Sequence, residues 1–236
     1  MAASSMNTGI LSLKMVEGVN MNFTTFTFVL DDIARNIVDG AIARGYKQVG
    51  TVTLSQGNKR AECVTKIYAQ DAESSSCLIH QCGLISDTLH SSWSQLFLNH
   101  AECRSCLILS GLPTPAYNSD MSLGGLRVLY SSTVEEQIKT QFMNCTTPLE
   151  TGNMLSGCTA AVLCQCEYRA LEAVVCVSLR GLAYTYEAAM MFENISPQAS
   201  RYLNVDETLA LSGNNALHSK MVKADQFLSR TENMYI

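Results

Sequence analysis

Three stretches of the chain are apolar almost without a break, and amphipathic stretches with a helical period lie between them. Ser76–Cys82 holds Cys77-Leu78-Ile79, Ser105–Ser110 holds Cys106-Leu107-Ile108-Leu109, and Ala173–Leu179 is nearly all apolar and β-branched. Such runs read as strands covered on both faces. After the first run, Ile85, Leu89, Trp93 and Leu96 recur every three or four residues. That spacing predicts a helix over Ser86–Asn99, with Ser86 or Asp87 at its N-cap. Ahead of it, Asn22–Leu30 is rich in Phe, Thr and Val and predicts a strand. Asp31-Asp32 then cap a helix running to Arg44, with Ile33, Ile37, Val38 and Ala41 on one face and Gly45 as its stop. Gln48–Leu54 and Ala61–Ala69, joined through Gln56-Gly57-Asn58, predict a hairpin.

Further on, the segment Gly111–Gly125 carries Pro113, Pro115 and Asn118 and reads as the longest loop. Leu126–Tyr130 predicts a short strand. Thr133 with Glu136 three residues on has the capping-box pattern, and Val134, Ile138 and Phe142 continue that helix. Further helices are predicted at Gly157–Arg169, Tyr186–Glu193 and Asn215–Leu228. Buried strands alternating with amphipathic helices define an α/β fold, with helices flanking a central, mostly parallel sheet. We read residues 1–20 as a flexible arm, 21–229 as one layered domain and 230–236 as a short flexible C-terminal tail.

Composition narrows the picture. Only 16% of the 236 residues are charged and 47% are hydrophobic, so the chain can bury a sizeable core. The net charge is −5 and no basic block occurs, which argues against a nucleic-acid partner. No run of about 18 apolar residues is present, so no membrane span is expected. The first twenty residues lack the pattern of a secretory signal. On that reading the protein is cytoplasmic, with the nucleus open to it. The ten cysteines are expected to be reduced, and the sequons at Asn22, Asn144 and Asn194 to be chance.

Candidate chemistry is sparse. There is no phosphate-binding G-x-x-x-x-G-K-[ST], no G-x-G-x-x-G, no H-E-x-x-H and no G-x-S-x-G, so no cofactor is expected. Cys103 and Cys106 form a C-x-x-C, but Cys106 leads into a strand, whereas redox motifs open a helix. Cys164 and Cys166 would be the second half of a four-thiolate zinc site. They lie about 200° apart on the predicted helix, which is a poor chelating geometry. His80 sits inside an apolar strand and reads as a core residue. Asp31-Asp32 and Glu135-Glu136 fit helix starts, where acids complement the dipole. No catalytic or metal-ligating residue is therefore assigned.

The last three residues remain. Met234-Tyr235-Ile236 follows a hydrophobic-Tyr-X pattern that ends a random chain of this composition roughly one time in fifty. It is similar to the tail by which proteasome activators and assembly chaperones dock on the proteasome's outer ring. Three stretches extend that likeness: Leu149-Glu150-Thr151-Gly152-Asn153-Met154 with Thr159–Leu163 and the strand Ala173–Leu179; Cys77–Cys82 through Trp93; and Glu232–Ile236. On these the sequence resembles the proteasome assembly chaperone 1 family. The resemblance implies a non-enzymatic protein that pairs with proteasome assembly chaperone 2 and binds the ring of α-type subunits. It would aid ring assembly and prevent off-pathway or premature association. Met234 would supply the apolar contact, Tyr235 would fill an inter-subunit pocket, and the Ile236 carboxylate would pair with a lysine. Seven residues of tail reach at most about 25 Å, which suits a plug beside a docked body. The rival reading is an α/β hydrolase- or nucleoside-phosphorylase-like enzyme with a polar pocket near Gly111–Gly125.

Overall fold

The computed structural model describes residues 9–30, 34–55, 60–71, 74–99, 102–113, 126–180 and 192–195. In chain order the strands are β1 (Ile10–Met15), β2 (Thr25–Val29), β3 (Lys47–Ser55), β4 (Glu62–Ala69), β5 (Ser76–Gln81), β6 (Ser105–Pro113), β7 (Leu126–Tyr130), β8 (Thr147–Pro148) and β9 (Glu172–Arg180). The α-helices are α1 (Ala34–Ala43), α2 (His90–Leu98), α3 (Glu136–Met143) and α4 (Gly157–Tyr168). Short 3₁₀ turns cover Asp87–Leu89 and Phe192–Ile195.

All the described strands join one mixed sheet, in the order β1-β3-β4-β5-β2-β6-β9-β7-β8. Its centre is parallel, because β2 pairs with β5 on one side and β6 on the other, and β6 pairs with β9. Antiparallel strands flank that centre: β3, β4 and β1 on one side, β7 on the other. The helices cover both faces. On one face α1 and α3 pack with Val29, Leu107, Leu109, Val174 and Cys176. On the other, α2 and α4 pack with Phe26, Phe28, Ile108, Val175 and Val177. Residues of β9 therefore alternate between two buried layers, which is why its sequence is apolar from Ala173 to Val177. The expected layered α/β architecture, parallel at its centre, is what the chain adopts.

The α2 face holds an aromatic chain. Phe28 lies edge-on to both Trp93 and Phe97, at centroid distances of 5.9 and 5.8 Å, and Trp93 and Phe97 are 5.2 Å apart. Edge-to-face pairs of this kind add about 0.5–1.5 kcal/mol each beyond the area they bury. The Trp93 indole N–H donates to Thr65 Oγ1 at 2.8 Å, so the one polar atom of the ring is paired inside the core.

Three expectations change. Residues 10–15, read as part of a loose arm, form the edge strand β1 in register with β3. Leu11, Leu13 and Met15 lie on the sheet's core side and alternate with exposed Ile10, Ser12 and Lys14, a period-two pattern masked by an apolar residue on the outer face. The Thr133–Glu136 capping box does not form. The Thr133 hydroxyl donates to the Leu171 carbonyl at 2.7 Å, and Glu135 stands at the helix N-cap with no side-chain bond. Finally, β6 runs on through Gly111–Pro113, pairing with Ser178–Arg180, so strand occupies the start of the stretch read as a loop. Residues 114–125, the Gln56-Gly57-Asn58 turn and the helices expected at 215–228 and over most of 186–193 lie outside the described residues.

Candidate functional site: a cleft at the strand ends

Parallel strands end together, and the groups at their carboxyl ends converge with the starts of the helices that follow. Here Gln81 closes β5, Ser110–Leu112 lie near the end of β6, and Val177 lies on β9. Opposite them are the first residues of α2 and α4. Between these elements is a cleft with a cavity volume of about 320 Å³. Its walls include Ile85, Leu112, Leu155 and Val177, and its polar lining comes from Gln81, His90, Ser110, Ser156 and Thr159.

Several of these groups are already engaged. Thr159 Oγ1 donates to Ser110 Oγ at 2.9 Å, tying α4 to β6. His90 Nε2 lies 3.0 Å from the Ile85 carbonyl. A carbonyl only accepts, so Nε2 carries a proton. His90 Nδ1 is 3.9 Å from the exposed Asp87 carboxylate. Helix α4 enters the cleft through Ser156, which stands at the N-cap in extended conformation without a side-chain bond. Gly157 follows at φ +64°, and a Cβ there would meet nothing closer than His90 Cε1 at 3.8 Å. Backbone conformation, and not space, therefore calls for glycine. The cleft can hydrogen-bond a small polar group against apolar walls. Two large apolar side chains stand out beside it: Leu84 is 91% exposed and Met154 85%.

The buried thiols do not build a reactive centre. Cys103 Sγ and Cys106 Sγ are 3.8 Å apart, 6% and 0% exposed. Hydrogen bonds from the Cys103 and Cys166 thiols, and then burial, push the Cys106 thiol well up, away from thiolate. Burial likewise raises Cys77 and Cys176. Cys164 is exposed and Cys166 buried. Among the described residues, no group of three or more His, Cys, Asp or Glu is placed to hold a metal. His80 is half-buried on β5 beside Lys66.

One ion pair escaped the sequence reading. Arg127 on β7 is 4% exposed, and its Nε donates to both carboxylate oxygens of Glu150 at 3.1 Å. Glu150 is anchored in turn, its carbonyl accepting from Asn153 Nδ2 at 3.0 Å. Leu149 N–H donates to the Val128 carbonyl at 3.0 Å. The stretch that carries part of the family resemblance is thus held to the sheet edge. Met234, Tyr235 and Ile236 lie outside the described residues. Among the described residues no helix is long and apolar enough to cross a membrane.

No family model matches the chain, and no curated protein matches it. Solved structures do. The chain has the fold of archaeal homologues of proteasome-assembly chaperones. Pyrococcus furiosus PbaA, described as such a homologue, aligns with TM-score 0.62 and 11% identity over 94% of this chain and 92% of its own. Pyrococcus furiosus PbaB, described as an archaeal proteasome activator, aligns with TM-score 0.60 and 14% identity over 96% of this chain and 100% of its own. A Thermoplasma acidophilum protein of unknown function aligns with TM-score 0.60 and 13% identity over 91% and 88%. At these identities the likeness is one of fold.

Proposed function

We propose that this chain is a proteasome assembly chaperone. It pairs with proteasome assembly chaperone 2 and binds the α-type subunit ring of the core particle, promoting ring assembly and preventing off-pathway or premature association. The supporting observation is the fold shared with PbaA over 94% of this chain. Met234, Tyr235 and Ile236 form the docking tail, with the Tyr235 ring in an inter-subunit pocket and the Ile236 carboxylate on a lysine. Three residues cannot bury a standard interface, so the tail adds to contacts made by the body. Such a protein acts by binding and not by catalysis, in the cytoplasm or nucleus where its partners assemble.

Mass spectrometry of the complex purified from cells tests this reading. The expected components are α-type subunits and a second α/β chaperone. Losing an anchoring aromatic worth about 2 kcal/mol lowers affinity roughly thirtyfold, so Tyr235→Ala should deplete the α-subunits. One residue added after Ile236 should do the same by displacing the carboxylate. Unchanged recovery with both variants would refute the tail's role.

The polar strand-end cleft favours a second reading, an α/β hydrolase- or nucleoside-phosphorylase-like enzyme. Purified chain would then turn over an ester or a nucleoside, and Ser110→Ala would reduce that turnover. Absence of turnover with both substrate classes sinks it.

A further inference from the structure

Two cysteines stand apart from the core thiols. Cys63 lies on β4 and is half-buried, and Cys82 directly follows β5 and is exposed. The N–H groups of Cys82 and Gly83 both donate to the Val64 carbonyl, at 3.0 and 3.2 Å. Two residues on one strand thus oppose one on the other, which is a β-bulge. Gln81 pairs with Thr65, so Cys82 comes beside Val64, one residue from Cys63. The Cys82 Sγ donates to the Cys63 carbonyl at 3.6 Å, which sets the two cysteines side by side. Gly83 permits this approach, since a Cβ there would sit 3.1 Å from Val64 Cα and 3.2 Å from the Cys63 carbonyl oxygen. Burial and then the Cys63 thiol push the Cys82 thiol up to about 11, with Lys66 acting against them, so the exchange calls for alkaline solution.

We propose that Cys63 and Cys82 form an accessible dithiol that a small-molecule disulfide oxidises to an intramolecular disulfide across the bulge. One cysteine thiolate attacks a sulfur of the disulfide, forming a mixed disulfide and releasing one thiolate, which takes up a proton. The second cysteine, as thiolate, attacks the protein sulfur of that mixed disulfide. The Sγ–Sγ bond forms and the second small thiol leaves. Two protein thiols are oxidised by two electrons, and one small disulfide is reduced to two thiols. Cys103 and Cys106 are closer to burial than to reagent and stay reduced. The new bond would hold the wall of the strand-end cleft to β4, because Gln81 and Leu84, which line the cleft, flank Cys82 and Gly83.

The test treats the native full chain with oxidised glutathione and maps tryptic peptides without reduction. The expected product joins peptide 61–66 to peptide 67–104, with the link fragmenting to Cys63 and Cys82 and the mass lower by two hydrogens. Cys63→Ser should abolish the link and leave a glutathione adduct on Cys82. Cys82→Ser should abolish it too, and circular dichroism checks that both variants are folded. Separate adducts on Cys63 and Cys82 in the unaltered chain, a link to another cysteine, or no reaction at either residue would each overturn the proposal.

Discussion

Replacing Thr65 by valine isolates a single hydrogen bond at the centre of the molecule. Thr65 and Trp93 are both 0% exposed, and the indole N–H donates to the threonine hydroxyl at 2.8 Å. Valine keeps the β-branched shape but cannot accept, so the N–H would be left buried and unpaired. An unsatisfied buried donor costs about 1–3 kcal/mol. In a domain of this size 1 kcal/mol lowers Tm by about 2–4 °C, so a cost near 2 kcal/mol predicts a loss of about 4–8 °C. Trp93 is the chain's one tryptophan, so its emission during urea unfolding reads this site directly, with far-UV circular dichroism as the global signal. A second background gives the argument its edge. In Trp93→Phe no donor remains, and adding Thr65→Val should then cost less than about 0.5 kcal/mol, because nothing is orphaned. If Thr65→Val costs the same in both backgrounds, the hydrogen bond is not the source of the effect and the reasoning fails.

The Arg127–Glu150 pair should respond asymmetrically. Glu150→Gln removes the carboxylate that a nearly buried guanidinium bonds and is expected to cost more than Arg127→Met, which leaves a 26%-exposed carboxylate that water can reach. Equal losses in urea titrations would contradict this. Burial, followed by the neighbouring Cys63 thiol, pushes Cys82 up to about 11, so its alkylation by iodoacetamide should climb about tenfold per pH unit well past pH 9. A rate that levels off near pH 9 would contradict the shift. The same shift has a stability sign: above pH 9 the unfolded thiol ionises and the folded one does not, so stability falls between pH 9 and about 11, less so in Cys82→Ser. At the end of α4, Ala170 holds φ 54° while Leu171 N–H bonds the Cys166 carbonyl and Ala170 N–H the Glu167 carbonyl, the pattern of a Schellman cap. Relief of that left-handed strain, about 1–2 kcal/mol, outweighs the extra unfolded-state entropy of glycine, about 0.4–1 kcal/mol, so Ala170→Gly should raise Tm; a lowered Tm would show the strain is absent.

The parts of this fold that could be read from the sequence are those whose periodicity has one cause. Residues 173–177 are apolar at every position because both faces are covered, and β6 and β5 share that signature. β1 was missed because exposed Ile10 blurs its alternation with Leu11 and Leu13. Thr133 looked like a cap because local spacing fits one, yet its hydroxyl is taken by Leu171, 38 residues away. Distance along the chain also hid the ion pair, since Arg127 and Glu150 are 23 residues apart with no motif between them. The cleft is hidden for the same reason: Gln81, Ser110, Thr159 and Val177 meet only once the parallel strands are laid side by side. The Cys63–Cys82 pair depends on a bulge, and a bulge has no pattern beyond Gly83.

The place of β2 in the sheet has a consequence for how the chain is made. Its residues leave the ribosome before those of its two neighbours, β5 and β6, and β6 needs β9 on its other side. The last residue of β9 is Arg180, about 150 residues after Val29. At synthesis rates of about 5–20 residues per second, the Thr-Phe-Thr-Phe-Val strand waits roughly 8–30 s before the central block can close. A nascent chain of this order is exposed to aggregation during translation itself, and the yield of native protein should depend on what shields residues 25–29 in that interval.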